Sequence, residues 1–170
     1  MKRGAYAARR RGLLLGVLAG GLLAGCGFSL RRLDGLPFAS LYLDAPAGSV
    51  AARHLRAWLA RDASTRLVDQ AETAEAVLKL AGEERRRTIL SLSGAGRVRE
   101  FRLEYRLSFS LVSRGAAPGF EPEHIELTRD FTYDDARLLA KEAEEQLLYR
   151  DMENDAVQRI VRRLRSVSRN

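Results

Sequence analysis

Strict alternation of apolar and polar residues marks the middle of the chain. Phe101, Leu103, Tyr105, Leu107, Phe109 and Leu111 alternate with Arg102, Glu104, Arg106, Ser108 and Ser110. A period of two over that length predicts a long strand with one buried face and one wet face. Ile125, Leu127, Arg129, Phe131 and Tyr133 alternate with Glu126, Thr128, Asp130 and Thr132, a second strand of the same kind. Between them, Gly115 to Pro122 reads as a loop holding two of the four prolines. Upstream, Ala76 to Leu80 and Ile89 to Leu92 are strand-like, separated by the charge run Glu83-Glu84-Arg85-Arg86-Arg87. That run reads as a solvated face. Ser93-Gly94-Ala95-Gly96 then supplies hairpin turn chemistry. Leu41-Tyr42-Leu43 is a first short strand ended by Asp44-Ala45-Pro46, and Leu67-Val68 is too brief to assign.

Two segments change period. Ser49 is placed to cap a helix running to about Asp62, whose Ala51, Leu55, Trp58 and Leu59 share one apolar face. Trp58 there reads as a core residue. A longer helix spans about Asp135 to Leu164, with Leu139, Ala143, Leu147, Met152, Ala156, Ile160 and Leu164 as its apolar stripe. Asp134 and Asp135 open it, and Arg159, Arg162, Arg163 and Arg165 close it, the polarity that complements the helix dipole. The order is β-α-β-β-β-α: an α+β domain with its helices on one face of a small mixed sheet and the other face polar.

The first residues follow different rules. Lys2, Arg3, Arg9, Arg10 and Arg11 form a basic segment without acids, and everything from Leu13 to Ala24 is apolar or Gly. A run of that length suits a secretion signal and falls short of the roughly 20 apolar residues that span a bilayer. Gly at 12, 16, 20, 21 and 25 argues against a core helix. Leu23-Ala24-Gly25-Cys26 then matches the lipobox of bacterial lipoproteins: apolar, small, small, Cys. Residues 1–25 are therefore expected to be a cleaved signal peptide, with Cys26 lipidated and 26–170 a single periplasmic domain. Two or three acyl chains make a stable anchor where one is marginal. Lipidation also accounts for the only cysteine in the chain, which would otherwise be a reactive thiol in an oxidising compartment. Gly27 rather than Asp follows, which points to the outer membrane.

This expectation changes the meaning of the charge. The chain carries +7, but five of those charges precede Cys26, which leaves +2 on the mature protein. A nucleic-acid partner thereby loses its main support. With 46% hydrophobic and 30% charged residues, the chain has a globular composition. No catalytic grouping is found: His54 and His124 have no ligand-spaced Cys or carboxylates and read as surface residues, and no nucleophile elbow precedes any serine. Gly94-Ala95-Gly96 lacks the following helix of a phosphate loop, and Asp134-Asp135 is explained by helix capping. No cofactor or metal is expected.

Three segments carry a family resemblance. "CGFSLR" from Cys26, "REFRLEYRLSFSL" from Arg99 and "FTYDDARLLAKEAEEQLLYRDMENDAVQRIVRRL" from Phe131 together resemble LptE, the lipoprotein partner of the lipopolysaccharide-assembly barrel LptD. They cover most of the mature chain in the right order. The resemblance implies two helices against a four-stranded sheet, no catalysis, and a domain lodged in the lumen of an LptD-like outer-membrane β-barrel. It implies that the protein plugs the barrel, assists its assembly and contacts lipopolysaccharide. It further implies basic residues on the lipid's phosphates: Arg97 or Arg99 at the hairpin tip, and Arg150 at the "YRDM" position of the last helix. The residues alone leave open a free periplasmic lipoprotein that binds peptidoglycan or a small ligand in an apolar pocket of a few hundred Å³.

Overall fold

The computed structural model describes residues 35–167. The expected signal peptide, residues 1–25, and Cys26 lie outside the described residues. Within them the chain runs β1 (Ser40–Asp44), α1 (Val50–Leu59), β2 (Arg66–Val68), β3 (Ala76–Leu92), β4 (Val98–Ser113), β5 (Phe120–Thr132) and α2 (Leu138–Ser166), with 3₁₀ turns at Ala71–Thr73 and Asp135–Arg137. The sheet is mixed, in the order β2-β1-β3-β4-β5, with β1 parallel to both β2 and β3 and the remaining pairs antiparallel. It has five strands where four were expected. The fifth is β2, whose three residues pair with Ser40, Leu41 and Tyr42 of β1. Arg66 N donates to Ala39 O at 2.9 Å to start that ladder.

The alternating segments behave as their period demands. Every apolar residue of β4 from Phe101 to Leu111 is buried, and the intervening ones are half-buried on the opposite face. Both helices cover the apolar face. Ala51, Ala52, Leu55 and Leu59 of α1 and Met152, Ala156, Ile160 and Leu164 of α2 join Leu41, Leu78, Leu103, Tyr105 and Leu107 in one core. Leucines of this kind contribute roughly 1.5–3 kcal/mol each when fully buried.

Three expectations need correction. The charge run does not interrupt a strand: β3 is continuous for 17 residues. At roughly 3.3 Å per residue it extends about 55 Å, and only its first four residues have β1 beside them. Charge is tolerated because one bulge resets the alternation. The register with β4 shifts between Ala81 and Glu84, with Gly82 at φ +62°, a left-handed conformation that glycine adopts without penalty. After the bulge, Arg85 and Arg87 fall on the helix-covered face, and Glu84 and Arg86 on the open one. Second, Leu139, Ala143 and Leu147 do not face the core; Leu139 is 81% exposed. The buried stripe is Tyr149, Met152, Glu153, Ala156, Val157, Ile160, Val161 and Leu164. Third, the loop after β4 is shorter than expected. Pro122 sits inside β5, at a register shift on the sheet edge where a missing N–H is harmless.

Candidate functional site

The hairpin joining β3 and β4 carries the first two candidate arginines. Its turn is closed by Ser93, whose N–H donates to Arg97 O at 2.7 Å and whose carbonyl accepts from Gly96 N at 2.9 Å. The Ser93 hydroxyl accepts from Arg97 N at 3.1 Å, and Gly96 takes φ +75°. Gly94-Ala95-Gly96 is thus a hairpin turn, as expected. Arg97 and Arg99 are exposed, and among the described residues neither side chain has an acidic partner.

Arg150 is also exposed and without an acidic partner among the described residues. Its neighbour Tyr149 fixes its level on the sheet. The Tyr149 hydroxyl donates to Arg86 O at 2.9 Å, and Arg86 pairs with Glu104. Arg97 and Arg99 precede Glu104 by seven and five residues, which places them on the order of 20 Å from Arg150 along the strand. The fold therefore makes two separate cationic points and does not join them in one cluster.

On the helix-covered face, around the bulge in β3, lies a polar network that alternation alone does not reveal. The first turn of α1 holds no acidic residue. The bulge at Gly82 aims Glu83 there instead. Its carboxylate accepts from Ala51 N at 3.1 Å, from the Ser49 hydroxyl and from the Tyr105 hydroxyl at 2.8 Å. Ser49 meanwhile caps the helix as expected, accepting from Ala52 N at 3.0 Å. A carboxylate at a helix N-terminus satisfies free N–H groups and complements the dipole. Burial first, then the Glu83 contact, pushes the Tyr105 hydroxyl far above its ordinary pKa. Two residues further along β3, Arg85 pairs with Glu153, which is 1% exposed in the middle of α2, and stacks over the Tyr149 ring at 5.0 Å. Arg87 likewise bonds Glu145 at 2.8 Å and covers Phe101 at 4.7 Å. These contacts tie α2 to the long hairpin. A usable signal was present: Glu153 interrupts the apolar stripe between Met152 and Ala156, and Gly82 precedes the acids of β3.

The face of the sheet away from the helices is a ladder of paired charges, in which Glu104 Oε2 and Arg106 Nε are buried without a hydrogen-bond partner among the described residues. Arg102 forks onto Asp130 with two bonds of 2.8 Å, which holds the Asp130 carboxyl below the usual carboxylate range. Arg106 reaches Glu126 at 3.0 Å and Glu104 at 3.6 Å, and Arg86 reaches Glu84 at 2.9 Å. At the base of this face, Lys79, Ser108, Ser110 and Glu121 line an open hollow of about 660 Å³.

No group of three or more potential metal ligands occurs among the described residues. His124 is exposed on β5. His54 departs from expectation: it is half-buried on α1, with Nδ1 buried and unpartnered. Asp134 caps the 3₁₀ turn by accepting from Ala136 N at 3.0 Å, as the helix-capping reading required. Trp58 packs partly buried against the core beneath Arg165, 5.4 Å from its ring. No helix among the described residues is long and apolar enough to cross a membrane.

Comparison with known proteins locates this architecture. A family model for LptE, described as lipopolysaccharide-assembly, matches residues 36–164. The solution structure of an uncharacterized lipoprotein B from Nitrosomonas europaea is 40% identical, covers 84% of this chain and 90% of its own, and superposes with a TM-score of 0.67. The crystal structure of the rare lipoprotein B from Shewanella oneidensis is 30% identical over 75% of this chain and 94% of its own, with a TM-score of 0.64. A minor lipoprotein from Acinetobacter baumannii, at 24% identity and a TM-score of 0.60, shares the fold; the match covers 77% of this chain and 93% of that one.

Proposed function

The chain belongs to the LptE family of lipopolysaccharide-assembly lipoproteins, and from that premise we propose a non-catalytic adaptor that plugs an LptD-like outer-membrane barrel and assists its assembly. Residues 1–25 are its signal peptide, and Cys26 carries the acyl chains that hold it on the periplasmic side of the outer membrane. Arg97, Arg99 and Arg150 contact phosphates of lipopolysaccharide passing through the complex. Guanidinium forks suit phosphate oxygens, and among the described residues these three have no acidic partner to compete.

The observation that carries this reading is the open sheet face. A sheet face left without helices is normally polar because it meets water. Here its charges neutralise one another through Arg102–Asp130, Arg106–Glu126 and Arg86–Glu84. Such a surface fits the polar interior of a large barrel, whose lumen-facing residues are hydrophilic. It offers a nucleic acid no net positive field. The hollow beside Lys79 is wide open, and no unpartnered buried polar atom lies among its lining residues, so it gives little support to a small-ligand module.

Co-purification tests the proposal. Tagged protein extracted from outer membranes should bring down an LptD-like barrel, and depletion should lower assembled barrel and surface lipopolysaccharide. Recovery of the tagged protein with no barrel would refute it. Replacing Cys26 by Ala should abolish acylation, read by mass spectrometry.

A further inference from the structure

The β3–β4 hairpin ends in a segment of unusual composition. From Thr88 to Arg99 there is no acidic residue, while Ile89, Leu90 and Leu92 are 53%, 43% and 55% exposed. Exposed aliphatic surface is concentrated at this end. Of the eight large exposed hydrophobics among the described residues, three are these, and two more, Leu138 and Leu139, open α2. That first turn lies near this free end of the hairpin: Lys141 Nζ donates to Thr132 Oγ1 at 3.3 Å, and Thr132 pairs with Glu100. Single exposed leucines need no explanation, but three within four positions at the free end of a hairpin do.

The register shows how these side chains come to be displayed. β3 carries one extra residue between Ile89 and Ser91, and β4 one extra between Val98 and Glu100. Leu90 and Arg99 are those two extra residues. Bulges re-aim side chains out of the regular pleat, so the hairpin end presents aliphatic groups and guanidiniums together. Arg97 and Arg99 form no ion pair among the described residues, although Glu100 follows directly and accepts from the Ser91 hydroxyl, and they call for an anion; Ile89, Leu90 and Leu92 call for an apolar partner. An inorganic phosphate would satisfy only the first set, and an apolar peptide only the second.

We propose that this hairpin end binds the acylated, phosphorylated end of lipopolysaccharide as an amphiphile, with Ile89, Leu90 and Leu92 against the acyl chains and Arg97 and Arg99 on the adjoining phosphates. The inference rests on the function proposed above and adds an acyl half-site to its phosphate contacts. Recognition by both halves distinguishes a lipid presented with its chains exposed from one sequestered in a bilayer, where only phosphates are accessible.

The test compares lipopolysaccharide with the same molecule stripped of its acyl chains, each binding to the full chain captured through a C-terminal tag. The wild type should hold the acylated form at least about tenfold tighter, as expected for burying several half-exposed aliphatic side chains. Ile89→Ser/Leu90→Ser/Leu92→Ser should erase that preference and leave binding of the deacylated form unchanged. Arg97→Glu/Arg99→Glu should weaken both. All substitutions are at exposed positions, and circular dichroism checks that the fold persists. A triple serine variant that keeps the acyl preference overturns the proposal. So does one that loses barrel co-purification with both lipid affinities intact, since the surface would then serve a protein. Equal competition by phosphatidylglycerol vesicles would overturn the assignment to lipopolysaccharide. A wild type that binds neither form would instead defeat the lipid contacts of the underlying reading.

Discussion

The Tyr105 hydroxyl donates to Glu83 Oε1 at 2.8 Å, from a side chain with no exposed surface of its own. The bond joins the central strand to the bulge in its neighbour, and through Ser49 and Ala51 to the start of α1. Tyr105→Phe keeps the ring and removes one bond to a charged acceptor, so it should destabilise the domain by about 1–2 kcal/mol. Glu83→Ala strips partners from three donors at once and should cost more, about 2–4 kcal/mol. Urea denaturation followed by circular dichroism measures both. Equal midpoints for the two variants would mean that the carboxylate does not unite these elements.

The same pair predicts an alkaline limit to stability. An ordinary tyrosine ionises near pH 10, and Tyr105 in the folded protein is raised well above that, by burial first and then by Glu83. The unfolded chain therefore loses this proton first as pH rises. The resulting stabilisation is complete below about pH 10 and declines above it. Tyr149, also raised by burial, adds in the same direction. Absorbance of tyrosinate should show two groups that ionise only as the domain unfolds, and Tyr105→Phe should remove one of them. Free ionisation of all tyrosines in a still-folded protein would contradict this account.

The elements that were legible in the sequence are those whose period survives without interruption. β4 and β5 alternate cleanly, and Ser49 begins α1 where its side chain caps it. The failures have local causes. β3 looked broken because the bulge at Gly82 shifts the alternation by one position, so its two halves carry different patterns on the same face. β2 exists only by parallel pairing with β1, a long-range event that three residues cannot announce. The expected stripe of α2 contained a step of five, from Leu147 to Met152. Five residues turn a helix by about 140° beyond one full revolution, so the two halves cannot share a face. Glu153 is illegible from periodicity because a carboxylate conflicts with an apolar stripe, and only Arg85, from β3, resolves it. Of the candidate site, the sequence offers the individual arginines only as candidates. The separation of Arg150 from the hairpin, and the apolar company of Arg97 and Arg99, required the register.

The Arg85–Glu153 pair should respond unequally to loss of its two members. The Arg85 side chain is 37% exposed and can rehydrate, whereas Glu153 at 1% cannot. Arg85→Met should therefore cost about 2–3 kcal/mol by leaving a buried carboxylate uncompensated. Glu153→Gln should cost about 1 kcal/mol. Arg85→Met combined with Glu153→Leu should recover most of the loss, because no charge is left in the core. A denaturation double-mutant cycle reads the coupling. Strict additivity would show that the two residues act independently.

The phosphate contacts make a prediction that depends on the separation between sites. Arg97 and Arg99 share one hairpin, while Arg150 lies on the order of 20 Å away on α2, at the level where Tyr149 meets Arg86. Each lacks an acidic partner among the described residues, so reversal to Glu breaks no ion pair there and should leave stability within about 0.5 kcal/mol of wild type. Binding should change far more. A charge-assisted contact contributes about 1.5–3 kcal/mol, so Arg97→Glu/Arg99→Glu should weaken lipopolysaccharide binding at least about tenfold, and Arg150→Glu by a similar factor. Sites this far apart that contact different phosphates should combine additively, so the triple variant should approach the product of the two losses. Titration of the purified full chain with lipopolysaccharide at two salt concentrations checks this, since contacts of this kind weaken as salt rises. Unchanged affinity in the triple variant would remove all three arginines from the lipid path and leave the barrel-binding role untouched. A loss confined to the hairpin pair would assign the phosphate contact to the end of the molecule where the aliphatic side chains are also displayed.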